Sequence, residues 1–444
     1  MKTFLLLDFG ASRVKTAVLS DDKLFDIRDY EPVKPCVFAQ NRFEVDLFGL
    51  KNQFLSILKD YSKEYNIDIV LICSEMHGFA LLNNNNEPES NYISWKDERC
   101  LEKIEGVSSL DLLKQKLKNK FFEKTGMKER ACYPVFNLFH MIREDAFKHT
   151  SKGCIKGEIK VVSLPEWLAC AGGKSLNIAH CTMSAGLGFY NIRTKSFDEE
   201  IISAVTASSN VSVTFNRSVE NIAPAGFIEM NGKSISIYTG VGDHQCALYG
   251  AGLKDNCLSL NLGTGSQAAL IGSFDSSNEK RPYFDSKILT VITHIPSGRA
   301  FNYYKEMLEK TNPEIDFWKE LSSVSLDDIN KSDLNINLAV FQSAWNYGRC
   351  GEILAFDSSK HSIKNYFASI MKSYINQYFK AIETLVSSNS VNQRFSVILS
   401  GGVAKKLPVI KEYFTKFSDF DVIVTNSEYD ETLEGLKKLS ACII

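Results

Sequence analysis

The chain begins with a strand–turn–strand pattern, Lys2-Thr3-Phe4-Leu5-Leu6-Leu7-Asp8-Phe9-Gly10-Ala11-Ser12-Arg13-Val14-Lys15-Thr16-Ala17-Val18-Leu19. Apolar residues dominate positions 2–7 and 14–19, and a short turn fills positions 8–13, so the stretch predicts a β-hairpin. The pattern returns at 258–271, where Gly263-Thr264-Gly265-Ser266 separates two apolar runs. One strand–turn–strand unit therefore lies in each half of the chain.

Strands and helices alternate around these hairpins. Apolar spacing predicts helices over 46–65, 102–123 and 367–386, the second of them a charged surface helix, and β-branched runs predict strands over 68–73 and 396–399. The alternation predicts an α/β class. At 444 residues the chain is about three times a typical domain length, so we expect two domains, residues 1–250 and 251–444.

Composition excludes several classes of function. The 53 acidic and 51 basic residues give a net charge of −2, which does not favour nucleic-acid or polybasic membrane binding. No apolar run approaches the ~20 residues that span a bilayer, and Asp8 interrupts any signal-like start. We therefore expect a cytoplasmic protein with no membrane and no nucleic-acid partner. The 11 cysteines contain no Cys-x-x-Cys pair, so the sequence shows no zinc motif.

Three turns that contain glycine each follow an apolar strand, at residues 8–13, 263–266 and 400–404. Glycine permits close approach of the backbone, and the amide groups of such turns can bind phosphate oxygens. Asp8 adds a carboxylate that can hold Mg²⁺ through water, the ligand that this ion retains most readily. The turns therefore predict a phosphate-containing ligand.

The order of these segments resembles the FGGY family of carbohydrate kinases, in the superfamily that shares the ATPase fold of actin, Hsp70 and sugar kinases. The matching segments span nearly the whole chain: Asp8 to Lys15, Met76-His77-Gly78, Trp95 to Arg99, Gly240-Val241-Gly242-Asp243, Asn261 to Gly265, Ser400 to Ala404 and a closing helix at Asp430 to Leu436. Residues 242–245 and 281–299 are most similar to the sedoheptulokinase branch. Two features depart from the family pattern: Ala11 replaces a common Thr, and residues 344–349 stand where a Gly-Glu-Arg segment is usual.

The resemblance implies two ribonuclease-H-like domains with an active cleft between them, ATP and Mg²⁺ as cofactors, and a small sugar as the acceptor. It implies that Asp243 is the general base. ATP is expected at Asp8, Gly10, Ser12, Lys15, Gly263, Thr264, Gly265, Gly401, Gly402, Val403 and Ala404, with Mg²⁺ at Asp8. The sugar is expected at Met76, His77, Gly78, Trp95, Asp97, Arg99, Asp243 and His244. In the closing helix, a Gly is expected to pack against the nucleotide domain.

Each of these residues also has a structural interpretation. Asp243 suits a helix N-cap, His77 and Trp95 suit a core, and Asp97 with Arg99 suits a surface ion pair. Lys15 either faces phosphates or is a solvated strand residue. The implied activity is phosphorylation of a terminal hydroxyl on a ketose or polyol, such as sedoheptulose or a pentulose. The alternatives are a glycerol kinase of the same family and a conformational actin-like or Hsp70-like nucleotide-binding protein.

Overall fold

The chain forms two compact units in a computed structural model that describes residues 2–148, 157–207, 209–341, 344–345, 351–354, 357, 362–389, 395–425 and 429–443. Unit 1 comprises Met1–Gly250, Lys280–Lys287 and Glu428–Ile444, and unit 2 comprises Ala251–Glu279 and Ile288–Ser427. The expected division into 1–250 and 251–444 therefore needs a correction. The chain returns to unit 1 twice, because a short segment and the C-terminal helix pack on its first 250 residues.

Unit 1 is built on a mixed sheet. The predicted opening hairpin is present, Phe4–Phe9 paired antiparallel with Val14–Ser20. A third strand, Lys23–Tyr30, extends the meander, while Ile69–Ser74 lies parallel to Phe4–Phe9 and Lys233–Tyr238 lies parallel to Ile69–Ser74. Further strands complete the sheet: Pro224–Met230, Lys174–Ser175 and Val241–Gly242.

Unit 2 repeats this strand order. Cys257–Asn261 and Ser266–Gly272 form the second hairpin, and Ile288–Ile295 continues the antiparallel meander. Ser396–Ser400 then lies parallel to Cys257–Asn261, and Asp421–Val424 lies parallel to Ser396–Ser400. In both units the first three strands are antiparallel and the fourth and fifth are parallel to the first, which is the order of ribonuclease-H-like domains.

Helices cover these sheets because their apolar faces need burial. Helix Leu47–Glu64 begins at Asp46, whose side chain accepts from the Phe48 and Gly49 N–H groups, and it packs on the sheet of unit 1. Helix Ile363–Ser388 lies within the core of unit 2. The other helices of unit 1 are Arg99–Leu101 (3₁₀), Ser109–Leu117, Lys120–Thr125, Pro134–Lys148, Leu164–Ala169, Cys181–Gly186, Glu199–Thr206, Asp243–Gly250 and Glu431–Ser440. Those of unit 2 are Gly298–Thr311, Phe317–Ser322, Leu326–Lys331, Gly402–Lys406 and Val409–Phe417.

Short strands complete the described chain. Unit 1 contains Pro35–Ala39, Arg42–Val45, Ala80–Leu82, Tyr92–Ile93, Lys103–Ile104, Val107–Ser108, Gly157–Val162, Ile178–His180, Tyr190–Asn191, Ser196–Phe197, Val211–Phe215 and Arg217–Val219. Unit 2 contains Asn335–Asn337 and Glu352–Leu354, and Glu279–Pro282 crosses the boundary in sequence.

The predicted surface helix over 102–123 is wrong. The segment contains two short strands and two helices, Ser109–Leu117 and Lys120–Thr125. Its apolar side chains at Leu113, Leu117 and Phe121 are buried in a second, aromatic-rich core of unit 1. The charged residues between them masked this buried face in the sequence.

The C-terminal helix, Glu431–Ser440, packs on helix Asp243–Gly250 of unit 1. A Cβ atom at Gly435 would collide with the Cys246 carbonyl, and one at Gly250 would collide with the Glu431 carbonyl. The Gly of the closing helix thus permits close helix packing as expected, but on unit 1 rather than on the second half of the chain. Among the helices of the described residues, none is both long and apolar enough to cross a membrane.

Candidate active site

Strand register brings three carboxyl groups to one edge of the unit 1 sheet. Asp8 pairs with Cys73 of the neighbouring parallel strand, and Gly242 pairs with Ser74 on that strand's other side. Asp8 therefore lies near the carboxyl end of its strand, while Glu75 and Asp243 follow the ends of the next two. Ligands of α/β sheets bind at such edges, so this edge is the candidate active site.

Asp243 is the first residue of its helix, and its Oδ1 accepts a 2.7 Å hydrogen bond from the His244 N–H. An N-cap side chain satisfies an N–H two or three residues further on, so simple capping does not describe this contact. Burial is the main cause that raises the pKa of Asp243 to about 7, with the charge of Asp8 next and Arg281 opposing. About half of the Asp243 side chains in a sample are then ionised near neutral pH, which suits a general base.

Asp8 is buried beside three polar groups. Its Oδ2 accepts a 2.8 Å hydrogen bond from Thr432 Oγ1 and lies 3.7 Å from Lys15 Nζ. Lys15 Nζ also lies 2.6 Å from Asp430 Oδ2. Burial raises the pKa of Asp8 although Lys15 and Thr432 oppose it. Lys15 is therefore an ion-pair residue rather than a solvated strand residue, and two residues at the C-terminal helix help to form the site.

The sequence profile described as "FGGY family of carbohydrate kinases, N-terminal domain" matches residues 3–250, more than half of the chain. The chain belongs to the FGGY family of carbohydrate kinases. It is a sugar kinase, and ATP use follows from the family. No curated protein sequence matches the chain significantly.

Solved structures show the same fold at low sequence identity. A xylulose kinase from Lactobacillus acidophilus is 16% identical with a TM-score of 0.77, and the alignment covers 100% of this chain and 90% of that one. A gluconate kinase from the same organism is 16% identical with a TM-score of 0.78, covering 100% and 90%. A Plasmodium falciparum glycerol kinase with ADP is 15% identical with a TM-score of 0.76, covering 99% and 89%. These likenesses confirm the α/β class and the two actin-like ATPase domains.

Glu75 lies at this edge although no motif in the sequence pointed to it. Its side chain is 5% exposed, Oε1 lies 3.4 Å from Ser94 Oγ, and burial raises its pKa to about 7. Hydrogen bonding with the Tyr92 side chain is the largest cause that opposes this rise. A signal was available, because Glu75 directly follows a parallel strand, as Asp243 does.

Four of the residues expected to bind sugar lie around this edge and differ in exposure. His77 is partly exposed with a φ of 67°, and its Nδ1 donates a 2.9 Å hydrogen bond to the Gly186 carbonyl. This left-handed conformation is uncommon outside glycine and concentrates at functional sites. Trp95 is 43% exposed, which leaves its ring open to stacking. Met76 and Gly78 are buried in packing contacts, the latter beneath the Tyr92 ring.

Asp97 and Arg99 form a buried ion pair, not the surface pair considered from the sequence. Asp97 is 0% exposed, and its oxygens accept from the Phe43 N–H and from both the backbone and guanidinium of Arg99. Arg99 also donates a 2.6 Å hydrogen bond to Glu44. A direct sugar contact would have to break these bonds, so the pair supports the Trp95 turn, and its role in binding sugar stays a prediction.

In unit 2, the turn of the second hairpin is tied to the start of helix Gly298–Thr311. The Gly298 N–H donates to the Gly263 carbonyl at 3.1 Å, and the Arg299 N–H donates to the Thr264 carbonyl at 3.0 Å. Thr264 and Gly265 are exposed. In unit 1, the tip of the first hairpin also exposes Ser12, two residues after Gly10. Each unit thus carries an exposed turn of the kind predicted to contact phosphate.

In the segment 400–404, where the resemblance to the family implies contact with the adenosine of ATP, the residues lie in different surroundings. Gly401 has a φ of 91°, and a Cβ there would crowd the backbone of Leu262 and Gly263. A Cβ at Gly402 would instead enter open space. Val403 is buried in the unit 2 core and Ala404 packs beside it. The side chain of Val403 therefore stabilises the unit, which leaves Gly402 as the residue of this segment best placed to lie against a ligand.

Asp8 fits the donor chemistry of Mg²⁺, which binds carboxylate oxygens. The charge of Asp8 raises the pKa of Asp243, so a cation beside them would relieve a repulsion that the protein already contains. Of the departures from the family pattern, Ala344 and Trp345 are described, whereas 346–349 lie outside the described residues.

A separate cluster of Glu102, His140 and Glu144 has the residue types of a metal site. Arg42 already donates hydrogen bonds to both carboxylates of this cluster at 2.6–2.9 Å. Burial lowers the pKa of His140 to about 4, so that side chain is neutral. The guanidinium therefore acts as the cation of the cluster.

Proposed function

We propose that this kinase transfers the terminal phosphoryl group of ATP to a terminal hydroxyl of a ketose or related polyol, with Asp243 as the general base. The observation that carries the proposal is the Asp243 carboxyl group, held by the His244 N–H and with a pKa raised to about 7. A sugar hydroxyl is a weak nucleophile, and phosphoryl transfer requires positioning, charge neutralisation and a proton acceptor.

In the proposed reaction, Asp243 Oδ2 accepts the proton of the acceptor hydroxyl as its oxygen forms the new bond to phosphorus. The bond between that phosphorus and the bridging oxygen breaks, and ADP leaves with the electron pair. Trp95 offers a carbon-face platform and His77 a polar contact. Mg²⁺ bound through Asp8 would neutralise phosphate charge. The turns at Gly10 to Ser12 and Gly263 to Gly265 offer phosphate contacts, and the active cleft expected between the two domains stays a prediction.

A panel of acceptors measured by ADP release tests the proposal. It should contain xylulose, ribulose, sedoheptulose, gluconate and glycerol, each with and without Mg²⁺. We expect one ketose to give the highest kcat/KM and Mg²⁺ to be required. A clear preference for glycerol or gluconate would contradict the proposed acceptor class, and equal rates without any divalent cation would contradict the role of Asp8.

A further inference from the structure

His244 and Arg281 form a contact beside the general base. Arg281 lies in Lys280–Lys287, the short segment by which the chain returns to unit 1, and it is only 7% exposed. Its NH1 lies 3.2 Å from His244 Nδ1. A guanidinium can only donate hydrogen bonds, so Nδ1 of His244 is the acceptor and carries no proton.

The surrounding charges keep this imidazole neutral. Burial is the main cause that lowers the pKa of His244 well below its ordinary value, and the charge of Arg281 and the nearby His77 lower it further. A neutral imidazole with an unprotonated Nδ1 carries its proton on Nε2. This Nε2 is buried and has no hydrogen-bond partner among the described residues.

A buried N–H group without a partner lowers stability, so a ligand that supplies an acceptor at this position recovers that cost. The neighbouring Asp243 presents the opposite chemistry, because its ionised carboxylate only accepts hydrogen bonds. The two adjacent residues therefore offer one acceptor and one donor. Such a pair distinguishes a hydroxyl that gives up a proton from a second oxygen that accepts a hydrogen bond.

We propose that Arg281 is a positioning residue that fixes His244 as the Nε2–H tautomer, so that His244 donates a hydrogen bond to a second oxygen of the acceptor sugar while Asp243 receives the hydroxyl proton. This inference rests on the proposed function. It narrows the acceptor class to molecules with a carbonyl, hydroxyl or carboxylate oxygen beside the reacting hydroxyl. A protonated amine at that position would face both the N–H group and the Arg281 charge, and is excluded.

Nitrogen NMR of the full-length protein labelled at histidine tests the tautomer directly. The His244 signals are identified by their loss in His244→Asn. We expect a protonated Nε2 and an unprotonated Nδ1 at pH 7 in the free protein. A doubly protonated ring, or a proton on Nδ1, would overturn the inference. This measurement needs no acceptor, so it remains decisive even if no sugar on the panel is phosphorylated.

Steady-state kinetics test the consequence for binding. In Arg281→Met we expect a mixture of tautomers and a KM for the sugar raised about three- to tenfold, the range for one lost hydrogen bond, with the KM for ATP unchanged. Arg281→Lys keeps a positive donor and should restore both the tautomer and the KM towards the wild-type values. Arg217→Met, at an exposed strand position, is the matched control. A folded Arg281→Met protein with the wild-type tautomer and KM would contradict the inference.

Discussion

Replacement of Asp243 by Asn preserves the shape of the side chain and removes its ability to ionise. The Asn Oδ1 can still accept the 2.7 Å hydrogen bond from the His244 N–H, so we expect the helix to begin normally. Loss of a positioned general base costs about 10²–10⁴ in rate. The kcat with the best acceptor should fall by this factor, while calorimetric titration should give an unchanged Kd for ATP.

The raised pKa also sets the pH dependence of the wild-type enzyme. The ionised carboxylate is the active form, so kcat/KM for the sugar should rise with pH, reach half its maximum near pH 7 and fall about tenfold per pH unit well below it. This rise is the acid limb of the pH profile, and the residual activity of Asp243→Asn should lack it. Any titration of ATP is common to both proteins and cancels in the comparison.

The same substitution should stabilise the fold at alkaline pH. The pKa of Asp243 is about 7 in the folded protein and about 3.8 in the unfolded chain. Between pH 3.8 and pH 7, the folded chain therefore holds a proton that the unfolded chain has released. Stability therefore falls as pH rises through this window, and the full cost is present above pH 7. About three pKa units correspond to at most about 4 kcal/mol. The Tm of Asp243→Asn should exceed that of wild type by a margin that grows from pH 5 to pH 7 and then stays constant.

Asp46→Asn is a matched control, because it makes the same chemical change at the start of another helix in unit 1. Asp46 caps Leu47–Glu64, and Asn is an equally good cap. This variant should retain the wild-type kcat. The reasoning about Asp243 would be refuted by an Asp243→Asn enzyme with wild-type turnover, or by a wild-type acid limb centred near pH 4.

Three further changes probe other parts of the molecule. Gly402→Val places a branched side chain in the open space expected to hold the nucleoside, so calorimetry should show ATP binding at least about tenfold more weakly, with a smaller effect for Gly402→Ala. If Gly402→Val binds ATP as tightly as wild type, Gly402 is not part of the site. Glu75→Gln removes a negative charge that raises the pKa of Asp243, so the acid limb of kcat/KM should move to lower pH, and an unmoved limb would show that the two groups are not coupled. Gly435→Ala drives a methyl group into Cys246 and should lower the stability by about 1–3 kcal/mol, seen as a lower Tm; an unchanged Tm would contradict the close helix packing.

Local pattern was sufficient to predict the hairpins and the long helices. The predicted strands 68–73 and 396–399 correspond to Ile69–Ser74 and Ser396–Ser400, and the helix 46–65 to Leu47–Glu64. Each has one dominant periodicity. The helix prediction for 102–123 is wrong because lysines separate the buried positions, so the sequence shows a charged face and not the apolar one.

The site was less accessible from sequence because distant segments complete it. Thr432 contacts Asp8 across 424 positions of the chain, and Arg281 contacts His244 across 37. Both residues lie in segments by which the chain returns to unit 1. Spacing alone gives no such pairing. The sequence therefore predicts the C-terminal helix in the wrong unit, and it indicates only a subfamily resemblance for the segment that contains Arg281.

The edge of the unit 1 sheet carries more carboxyl groups than basic groups, and this imbalance explains how the fold serves the chemistry. Burial raises the pKa values of Asp8, Glu75 and Asp243, so each carboxyl group holds a proton more tightly than it would in water. Lys15 does not fully neutralise Asp8, because Lys15 Nζ lies closer to Asp430 Oδ2 (2.6 Å) than to Asp8 Oδ2 (3.7 Å). Strand register fixes the carboxyl groups side by side, and the resulting repulsion costs stability. It also prepares the edge to accept the proton of an incoming hydroxyl, which is the step that a sugar kinase must assist.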